Sequence, residues 1–298
     1  MTLFDSKLYS DAWCICYREK GDKTIFDDAK TPFKIIKNGT KSWTADPFLI
    51  EKDGETYIFA ELYDYALRRG LIAYTKIKKR GKMKWKKIIC EDYHMSYPYI
   101  FEYENNIHIM PETRDNTELC VYRAIEFPDK WEKIKVLRSD EKIVDTTLFN
   151  VGEKYYALTY DIEDNNRYHL RWIDFSDKDG DKELFQNDSK RVRPAGCFFE
   201  KDGKTYRPAQ ICDNMYGEGL IFYQCWLDLD GYNEKAIKEI YPSDIKLDKK
   251  LKGIIGMHTY NFTDKYEVID IQFRRFNVFD VLSKIVHKIK IIFKKGQA

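Results

Sequence analysis

The feature that most constrains the fold of this chain is an internal repeat. The stretch "EKDGETY" at residues 51–57 returns almost unchanged as "EKDGKTY" at 200–206, and each copy links two hydrophobic runs through a short polar turn. Such a pattern predicts a β-hairpin. Looser copies are "YPYIFEYENNIHIMPE", "DTTLFNVGEKYYALTY" and "HTYNFTDKYEVIDI". The five hairpin units start near residues 46, 97, 145, 195 and 258.

The spacing of these units predicts the architecture. They recur about every 50 residues, which leaves room for two more strands after each hairpin and matches the period of a propeller blade. The strand-like "AWCICYRE" near the N-terminus is placed to complete the last blade, and the 15% aromatic content favours strands. We therefore predict an all-β fold, a five-bladed β-propeller over residues 1–273, in preference to an all-β sandwich with chance hairpin similarity.

The last 25 residues or so have a different character. Between Phe276 and Phe293 apolar residues recur at helical spacing, and the segment carries seven Lys and Arg residues against one acidic residue, Asp280. This pattern predicts a C-terminal basic amphipathic helix over 274–298. Such a helix is typical of binding to a membrane surface, here through 274–295, or of packing on the side of the propeller.

Composition limits the partners and the compartment. The net charge of +2 gives no general attraction to nucleic acid, so no nucleic-acid partner is expected. The seven Cys form no C-x-x-C pair, which indicates reduced thiols. No secretory signal or membrane-spanning run is evident in the sequence. We therefore expect a cytoplasmic protein, peripheral at the inner face of the membrane.

The repeat also predicts a ring of polar side chains around the propeller axis. Equivalent positions of the inner strands converge there, and crowded carboxylates raise one another's pKa, as in acid/base sites. Turn capping is the alternative role for any single Asp. Glu61 ends a second strand and is not expected to share the opening of Asp46. The first strands contribute Asp46, Tyr97, Asp145, Ala195 and His258, and the second strands end near Glu61, Glu112, Gln210 and Asp270.

Two of these positions carry a family resemblance. "ADPF" at 45–48 and "VDTTLF" at 144–149 resemble motifs of the arabinanase, xylosidase and fructosidase superfamily of glycoside hydrolases, which are five-bladed propellers. The resemblance implies that Asp46 is a catalytic base or nucleophile and that Asp145 orients the substrate and tunes pKa. Those hydrolases also use a Glu near the start of the fourth blade as general acid. Here that stretch is "RVRPAGCFF", and Ala195 stands at the position of the acid.

A second resemblance covers most of the chain, from about residue 43 to 262. "MSYPYIFEYENNIHIMPET", "VDTTLF", "RPAGCFFEKDGKTYRPAQIC" and "GMHTYN" are similar to the N-terminal domain of plant glucosamine inositolphosphorylceramide transferase and its bacterial relatives. This family implies a role in glycan assembly.

The missing acid favours a reaction whose leaving group needs no proton. A phosphate leaving group needs positive charge instead. Arg193 and Arg207 in the fourth repeat are candidates to hold a donor phosphate, although each could equally pair with a ring carboxylate. Asp46 or Glu112 would deprotonate an acceptor hydroxyl. The polar loop 211–220 is expected to cover the mouth of the funnel, with Glu218 either binding sugar hydroxyls or serving only as a loop charge.

The leading hypothesis is a glycosyltransferase-like enzyme of cell-surface polysaccharide or glycolipid biosynthesis. Its substrates would be a sugar with a nucleotide-sugar or a lipid-linked glycan. The alternatives are a glycoside hydrolase that uses Asp46, Asp145 and a displaced Glu, and a non-catalytic glycan-binding module. No cofactor is predicted, and no linear motif indicates a metal, although the carboxylates would suit a hard divalent cation. The candidate residues are Asp46, Asp145 and Glu112 for catalysis, and Tyr97, Arg193, Arg207, Gln210, Glu218 and His258 for substrate binding.

Overall fold

The described part of the chain is all-β apart from a C-terminal α-helix and three short 3-10 turns. The computed structural model describes residues 9–151, 154–161, 167–172, 183–187, 189–228 and 231–295. Its strands form five antiparallel sheets, four of them with four strands and one with five.

The strands follow the repeat along the chain. Two N-terminal strands come first, β1 (Tyr9–Glu19) and β2 (Lys34–Ile35). The first regular blade contains β3 (Ser42–Lys52), β4 (Glu55–Asp64), β5 (Arg69–Lys76) and β6 (Lys86–Ile89). The second contains β7 (Ser96–Tyr103), β8 (Asn106–Glu112), β9 (Glu118–Glu126) and β10 (Lys130–Ser139). The third contains β11 (Ile143–Val151), β12 (Lys154–Asp161), β13 (Arg167–Trp172) and β14 (Glu183–Asn187). The fourth contains β15 (Phe199–Lys201), β16 (Lys204–Ile211), β17 (Gly219–Asp228) and β18 (Gly231–Ile240).

The last sheet joins the two ends of the chain. It contains β19 (Ile254–Gly256), β20 (Tyr260–Phe262) and β21 (Tyr266–Phe276), and β1 pairs with β21 along its whole length, from Tyr9–Phe276 to Glu19–Tyr266. The prediction that "AWCICYRE" completes the last sheet is confirmed. This sheet is irregular, because β19 and β20 are separate short strands on one edge of β21. The structure thus has four regular blades and one closing sheet, and the predicted set of five equivalent blades is not confirmed.

The turns explain why the hairpins form where the repeat predicts them. In both "KDG" copies a two-residue turn has positive φ at Asp and Gly, with φ of 50° and 78° at Asp53 and Gly54. The fourth blade repeats it at Asp202 and Gly203. This is the Asp-Gly signature of a tight hairpin turn whose twist suits the flanking strands. The corresponding turn of the third repeat, at 152–153, lies outside the described residues.

Apolar side chains between neighbouring sheets form the core. Phe48, Phe59, Ile109 and Leu148 lie in one cluster that spans the first three blades. A second cluster joins the fourth blade to the closing sheet through Phe222 and Ile271, among others. Burying each such side chain contributes about 1.5–3 kcal/mol. Because every sheet packs only on its neighbours, the inner strand of each is held facing the axis.

The C-terminal helix α1 spans Val278–Lys295. The predicted basic helical tail is thus present, but it begins later than predicted: Arg274 and Arg275 belong to β21, where they extend the pairing with β1. Within the described residues, no helix is both long and apolar enough to span a bilayer. Residues 296–298 of the predicted tail lie outside the described part of the chain.

Candidate functional site

A cavity of about 420 Å³ opens on the axis at the end where β3 begins. It receives side chains from three of the four regular blades and the closing sheet directly, and the fourth blade contributes through residues just before β15 and after β16. Its charged lining includes Asp46, Glu61, Glu112, Asp145, Arg193 and His258. Four of the ring positions predicted from the sequence therefore lie together in the cavity, namely Asp46, Glu112, Asp145 and His258. Glu61 lies there as well.

Matching β-bulges aim the side chains of the first three blades. The pairing register shifts between Ala45 and Phe48, and equivalent shifts occur in the second and third blades. The bulged residues Asp46, Tyr97 and Asp145 have φ of 51°, 43° and 51°. A left-handed residue in a bulge redirects its side chain and costs of order 1–3 kcal/mol when it is not glycine. The same backbone strain at three equivalent positions indicates that the functional site lies at this end of the strands, where the cavity opens.

Asp46 is buried and held by hydrogen bonds from two other sheets. Its Oδ2 accepts from the backbone N–H of Tyr97 at 3.1 Å, and its Oδ1 accepts from the Thr259 hydroxyl at 3.0 Å. Burial is the largest influence on its pKa and raises it; the charge of His258 lowers it, and Asp145 and Asp270 raise it again. The pKa of Asp46 therefore lies at about 6. Such a carboxylate is mostly ionised at neutral pH and basic enough to accept a proton.

His258 lies between two carboxylates. Its Nδ1 is 2.7 Å from Asp270 Oδ2, and its Nε2 is 3.5 Å from Asp46 Oδ1. Burial lowers the pKa of His258, but the two carboxylates outweigh it and the net shift is upward. The same Asp270 side chain accepts the backbone N–H groups of Asp46, His258 and Thr259 at 3.0 Å each. Asp270 therefore fixes both the imidazole and the strand that carries Asp46.

These three side chains also raise the question of a cation. One ligand atom from each of Asp46, His258 and Asp270 lies within 4.8 Å of the others. However, both Asp270 oxygens already accept hydrogen bonds, and the imidazole uses Nδ1 in one of them. A divalent ion would have to displace those N–H donors. The donor set thus fits a proton-sharing network better than a metal centre.

Glu61 shares the cavity with Asp46, contrary to the expectation from its place at the end of β4. Its side chain is buried, and its Oε1 lies 3.5 Å from His94 Nε2. His94 Nδ1 accepts the Gly70 N–H at 3.0 Å, so Nε2 carries the ring proton toward Glu61. Burial and then the charge of Asp46 raise the pKa of Glu61 well above its usual range. A carboxyl whose raised pKa favours its protonated form therefore faces the cavity.

Arg193 links the third blade to the fourth. Its Nε donates to Asp145 Oδ2, and its Nη2 lies 3.6 Å from Glu112 Oε2. Gln210 donates a further 3.0 Å hydrogen bond to the same Asp145 oxygen. Burial, then the charge of Asp145, raises the pKa of Glu112 well above its usual range, and Arg193 only partly opposes this. Arg193 thus brings a fixed positive charge into the cavity, beside two of its carboxyl groups.

Four predicted binding residues do not line the cavity. One of them, Gln210, is buried and donates to Asp145, which does line it. Arg207 pairs bidentately with Glu234, at 2.8 and 3.0 Å, inside the fourth blade. It is three residues before Gln210 on one strand, so the two side chains point to opposite faces. Tyr97 is fully buried, and its hydroxyl binds Thr147 and the Gly196 N–H between blades. Glu218 accepts hydrogen bonds from Asn214 and closes its own loop. The donor-phosphate and sugar contacts predicted for these residues do not fit their positions.

Aromatic side chains form much of the cavity wall, and the ring positions derived from the repeat did not include them. Trp13 stacks on His258 with ring centroids 3.8 Å apart, and Trp43 stacks on Tyr63 at 4.8 Å. Tyr216, from the predicted loop 211–220, lies against Arg193 at 4.9 Å. Flat apolar rings beside hydrogen-bonding groups suit the faces and hydroxyls of a sugar. Trp43 could have been predicted from the sequence as a residue of the cavity wall, because it lies three residues before Asp46 on the same rim.

The sequence of the chain matches a known family. Residues 33–261 match the family described as glucosamine inositolphosphorylceramide transferase 1, N-terminal. The protein of Oryza sativa subsp. japonica named glucosamine inositolphosphorylceramide transferase 1 is 30% identical over 229 residues. The Arabidopsis thaliana protein of the same name is 28% identical over 217 residues. The matches cover 71% and 68% of this chain but 29% and 28% of those proteins. The chain spans less than a third of the length of these relatives.

Solved structures with the same fold are glycoside hydrolases. An α-L-arabinofuranosidase of Podospora anserina superposes with a TM-score of 0.58 at 11% identity, over 73% of this chain and 76% of that one. The catalytic domain of a Coprinopsis cinerea α-L-arabinofuranosidase gives 0.58 at 9% identity, over 76% and 90%. At such identities the likeness establishes only the fold, an all-β propeller.

Proposed function

The chain belongs to the family of glucosamine inositolphosphorylceramide transferase 1 N-terminal domains, and we propose that it is a carbohydrate-active domain that transfers a sugar from a phosphate-linked donor to a hydroxyl acceptor. The observation that carries the proposal is Arg193 in the cavity, beside Asp145 and Glu112. A cation there can stabilise a departing phosphate, which needs no proton. The wider setting would be the assembly of a glycolipid or a surface polysaccharide.

The proposed reaction uses Asp46 as a general base. Asp46 takes the proton of the acceptor hydroxyl as the acceptor oxygen bonds to the anomeric carbon of the donor. The bond between that carbon and the phosphate oxygen breaks, and its electron pair leaves with the phosphate beside Arg193. The raised pKa values of Glu61 and Glu112 favour their protonated forms, in which the two carboxyls would repel an anionic donor little and could donate hydrogen bonds to it.

The remaining residues would orient the reactants. Asp145 holds the guanidinium of Arg193 through its Nε, and Glu112 lies 3.6 Å from Nη2, so a phosphate oxygen would bind at Nη1 or share Nη2 with Glu112. Gln210 fixes Asp145 in turn. Trp43 and Trp13 offer faces for sugar rings on two sides of the cavity. His258, whose Nε2 lies 3.5 Å from Asp46 Oδ1, would help to keep the Asp46 carboxylate in place between turnovers.

Ligand binding provides the first test. Titration calorimetry with nucleoside diphosphates and a panel of nucleotide sugars should reveal binding that Arg193→Lys weakens about tenfold and Arg193→Gln weakens more. Arg191→Gln is the matched control, because Arg191 is exposed to solvent and pairs with Asp213 and Glu239 outside the cavity. Asp46→Asn should abolish transfer to an acceptor while leaving donor affinity nearly unchanged. Absence of binding to any phosphate-linked sugar would contradict the proposal.

A glycoside hydrolase is the second candidate, and the protonated carboxyls favour it. Either Glu61 or Glu112 could supply the proton that an alkoxide leaving group requires, with Asp46 as base or nucleophile. Aryl-glycoside cleavage that is lost in Asp46→Asn and in Glu112→Gln, without any binding of nucleotide sugars, would establish this reading. Glycan binding that survives Asp46→Asn, with no turnover of either substrate class, would instead indicate a binding module.

A further inference from the structure

A groove of about 530 Å³ lies between the helix α1 and the turn that joins β4 to β5. Its apolar lining includes Leu67 of the turn and Phe279, Leu282 and Val286 of the helix. Lys41, Arg68 and His287 add basic groups to the same lining. Apolar walls with basic groups suit an amphiphile that has an anionic head.

The attachment of α1 leaves its apolar side uncovered. Polar groups contribute contacts with the propeller: Ser283 donates to the Tyr65 carbonyl, and Asn277, just before the helix, donates to the Thr40 carbonyl at 3.3 Å. Asp280 is buried, and its partner Lys284, at 2.6 Å, lies one turn along the same helix. By contrast, Leu282 and Ile285 are 52% and 48% exposed. A helix that docked only to stabilise the propeller would bury these side chains and expose the polar ones. The exposed apolar side continues onto the closing sheet through Tyr9 and Phe276, whose rings are 6.3 Å apart.

The charged residues and the histidine that line the groove are all basic. Neither Lys41 nor Arg68 forms an ion pair in the part of the chain that the structure describes, and Lys41 lies over the Phe279 ring at 5.8 Å. The sequence of the helix adds further Lys residues up to Lys295, and its one acidic residue, Asp280, is already paired. Basic groups around an exposed apolar surface complement an anionic lipid surface.

The groove and the cavity open on the same face of the propeller. Trp43 and Tyr63 line the cavity, whereas Lys41 and Tyr65, two residues away on the same strand ends, line the groove. The rings of Tyr63 and Tyr65 touch edge to face at 5.9 Å. Whatever covers the helix therefore also borders the mouth of the cavity.

We propose that α1 and its groove dock on an anionic phospholipid bilayer, with the mouth of the cavity turned toward the lipid surface. The apolar side of the helix would enter the interfacial layer while Lys41 and Arg68 contact lipid phosphates. This docking does not depend on the proposed reaction, since a glycan-binding domain could be presented to a membrane in the same way. If the domain is a transferase, the orientation favours an acceptor that is itself part of a membrane lipid.

Vesicle co-flotation of the whole chain tests the docking. The protein should float with vesicles of phosphatidylcholine and phosphatidylglycerol, float poorly with phosphatidylcholine alone, and dissociate as salt is raised. Ile285→Glu should weaken binding at least about tenfold. Ile237→Glu is the matched control, because Ile237 is an equally exposed residue, at 46%, on β18. Lys41→Gln with Arg68→Gln should weaken binding to the anionic vesicles, unlike Lys249→Gln with Lys250→Gln.

Orientation and self-association decide between the remaining outcomes. In a chain that carries Cys90→Ser, an environment-sensitive fluorophore is attached at Leu67→Cys. Its emission should shift to the blue when anionic vesicles are added. The same label at Asp53→Cys, at the opposite end of the hairpin, should not. Flotation of Ile285→Glu equal to that of the unmodified chain would overturn the proposal. So would a dimer in solution that Ile285→Glu dissociates, because a second copy would then cover the helix.

Discussion

The substitution Asp46→Asn should make the folded protein more stable at neutral pH while removing its proposed base. The pKa of Asp46 rises from 3.8 to about 6 in the folded state, chiefly because the carboxylate is buried. A shift of roughly two units corresponds to about 3 kcal/mol of folding free energy. Keeping Asp46 ionised therefore costs the fold up to that amount.

The pH dependence fixes the sign of the effect. The folded state binds the Asp46 proton more tightly than the unfolded state does, so the cost is absent below about pH 4. It grows as pH rises toward 6 and is complete above that. Asparagine retains one acceptor for the Tyr97 N–H, but His258 loses one of its two carboxylate partners. We expect a net gain of about 1–2 kcal/mol at pH 7, and little or none at pH 4.

Thermal and urea denaturation followed by tryptophan fluorescence, from pH 4 to 8, would measure this difference. The gain should raise the melting temperature by a few degrees at pH 7. Asp53→Asn is the control, since it removes the same charge from an exposed turn in which Asn is also favoured. A variant less stable than the unmodified protein at pH 7, or a stability difference that does not change between pH 4 and 7, would refute the reasoning.

Three further substitutions probe the supports of the site. Gly70→Ala would place a Cβ 2.4 Å from a backbone carbonyl oxygen, so it should destabilise the fold by about 1–3 kcal/mol in urea denaturation. Gly21→Ala is the control and should not destabilise the fold, because no other atom lies within 4 Å of the added Cβ. Arg207→Met should cost about 3–5 kcal/mol, because it removes the cation that pairs with the buried Glu234 side chain. It should leave ligand affinity in calorimetry unchanged in the surviving folded protein. Trp43→Ala should weaken binding of a sugar ligand roughly five- to tenfold without lowering the melting temperature comparably.

The repeat in the sequence was sufficient to predict the hairpins, which depend on local turn rules, and the closure of the ring, because the last repeat needs a further strand that only the N-terminal segment offers. The Asp-Gly turns determine two of the hairpins, and the length of β1 matches that of β21. The closing sheet could not be predicted in the same way. Its inner edge is made of two short strands, and the choice between one strand and two depends on packing against the fourth blade rather than on a local signal.

Residues of the site could be predicted from the sequence only by counting the alternation of side chains along a strand from a known turn. Counting from the turn at Asp53 along an unbulged hairpin places Glu61 opposite Asp46. In the structure the bulge makes Ala45 the partner of Glu61, one residue from Asp46, so the nearness of the two carboxyls could have been found from the sequence. The same counting places Arg207 on the opposite face of β16 from Gln210, whose side chain bonds to Asp145 of the cavity. The bulges at Asp46 and Asp145 carry no comparable signal, because positive φ at Asp is a response to the neighbouring sheets. Tyr97 has the same backbone yet a purely structural side chain.

The electrostatics of the cavity argue for a function that outweighs stability. Asp46, Glu61 and Glu112 are buried together, and burial raises the pKa of each. A fold under selection for stability alone would replace such carboxyls with apolar or amide side chains, as Asp46→Asn is expected to show. Three strained bulges add a further cost at the same rim. The buried carboxyls and the strained bulges both lie at the mouth of one cavity, beside the guanidinium of Arg193. Proton transfer at a bound substrate is the simplest role that accounts for both costs.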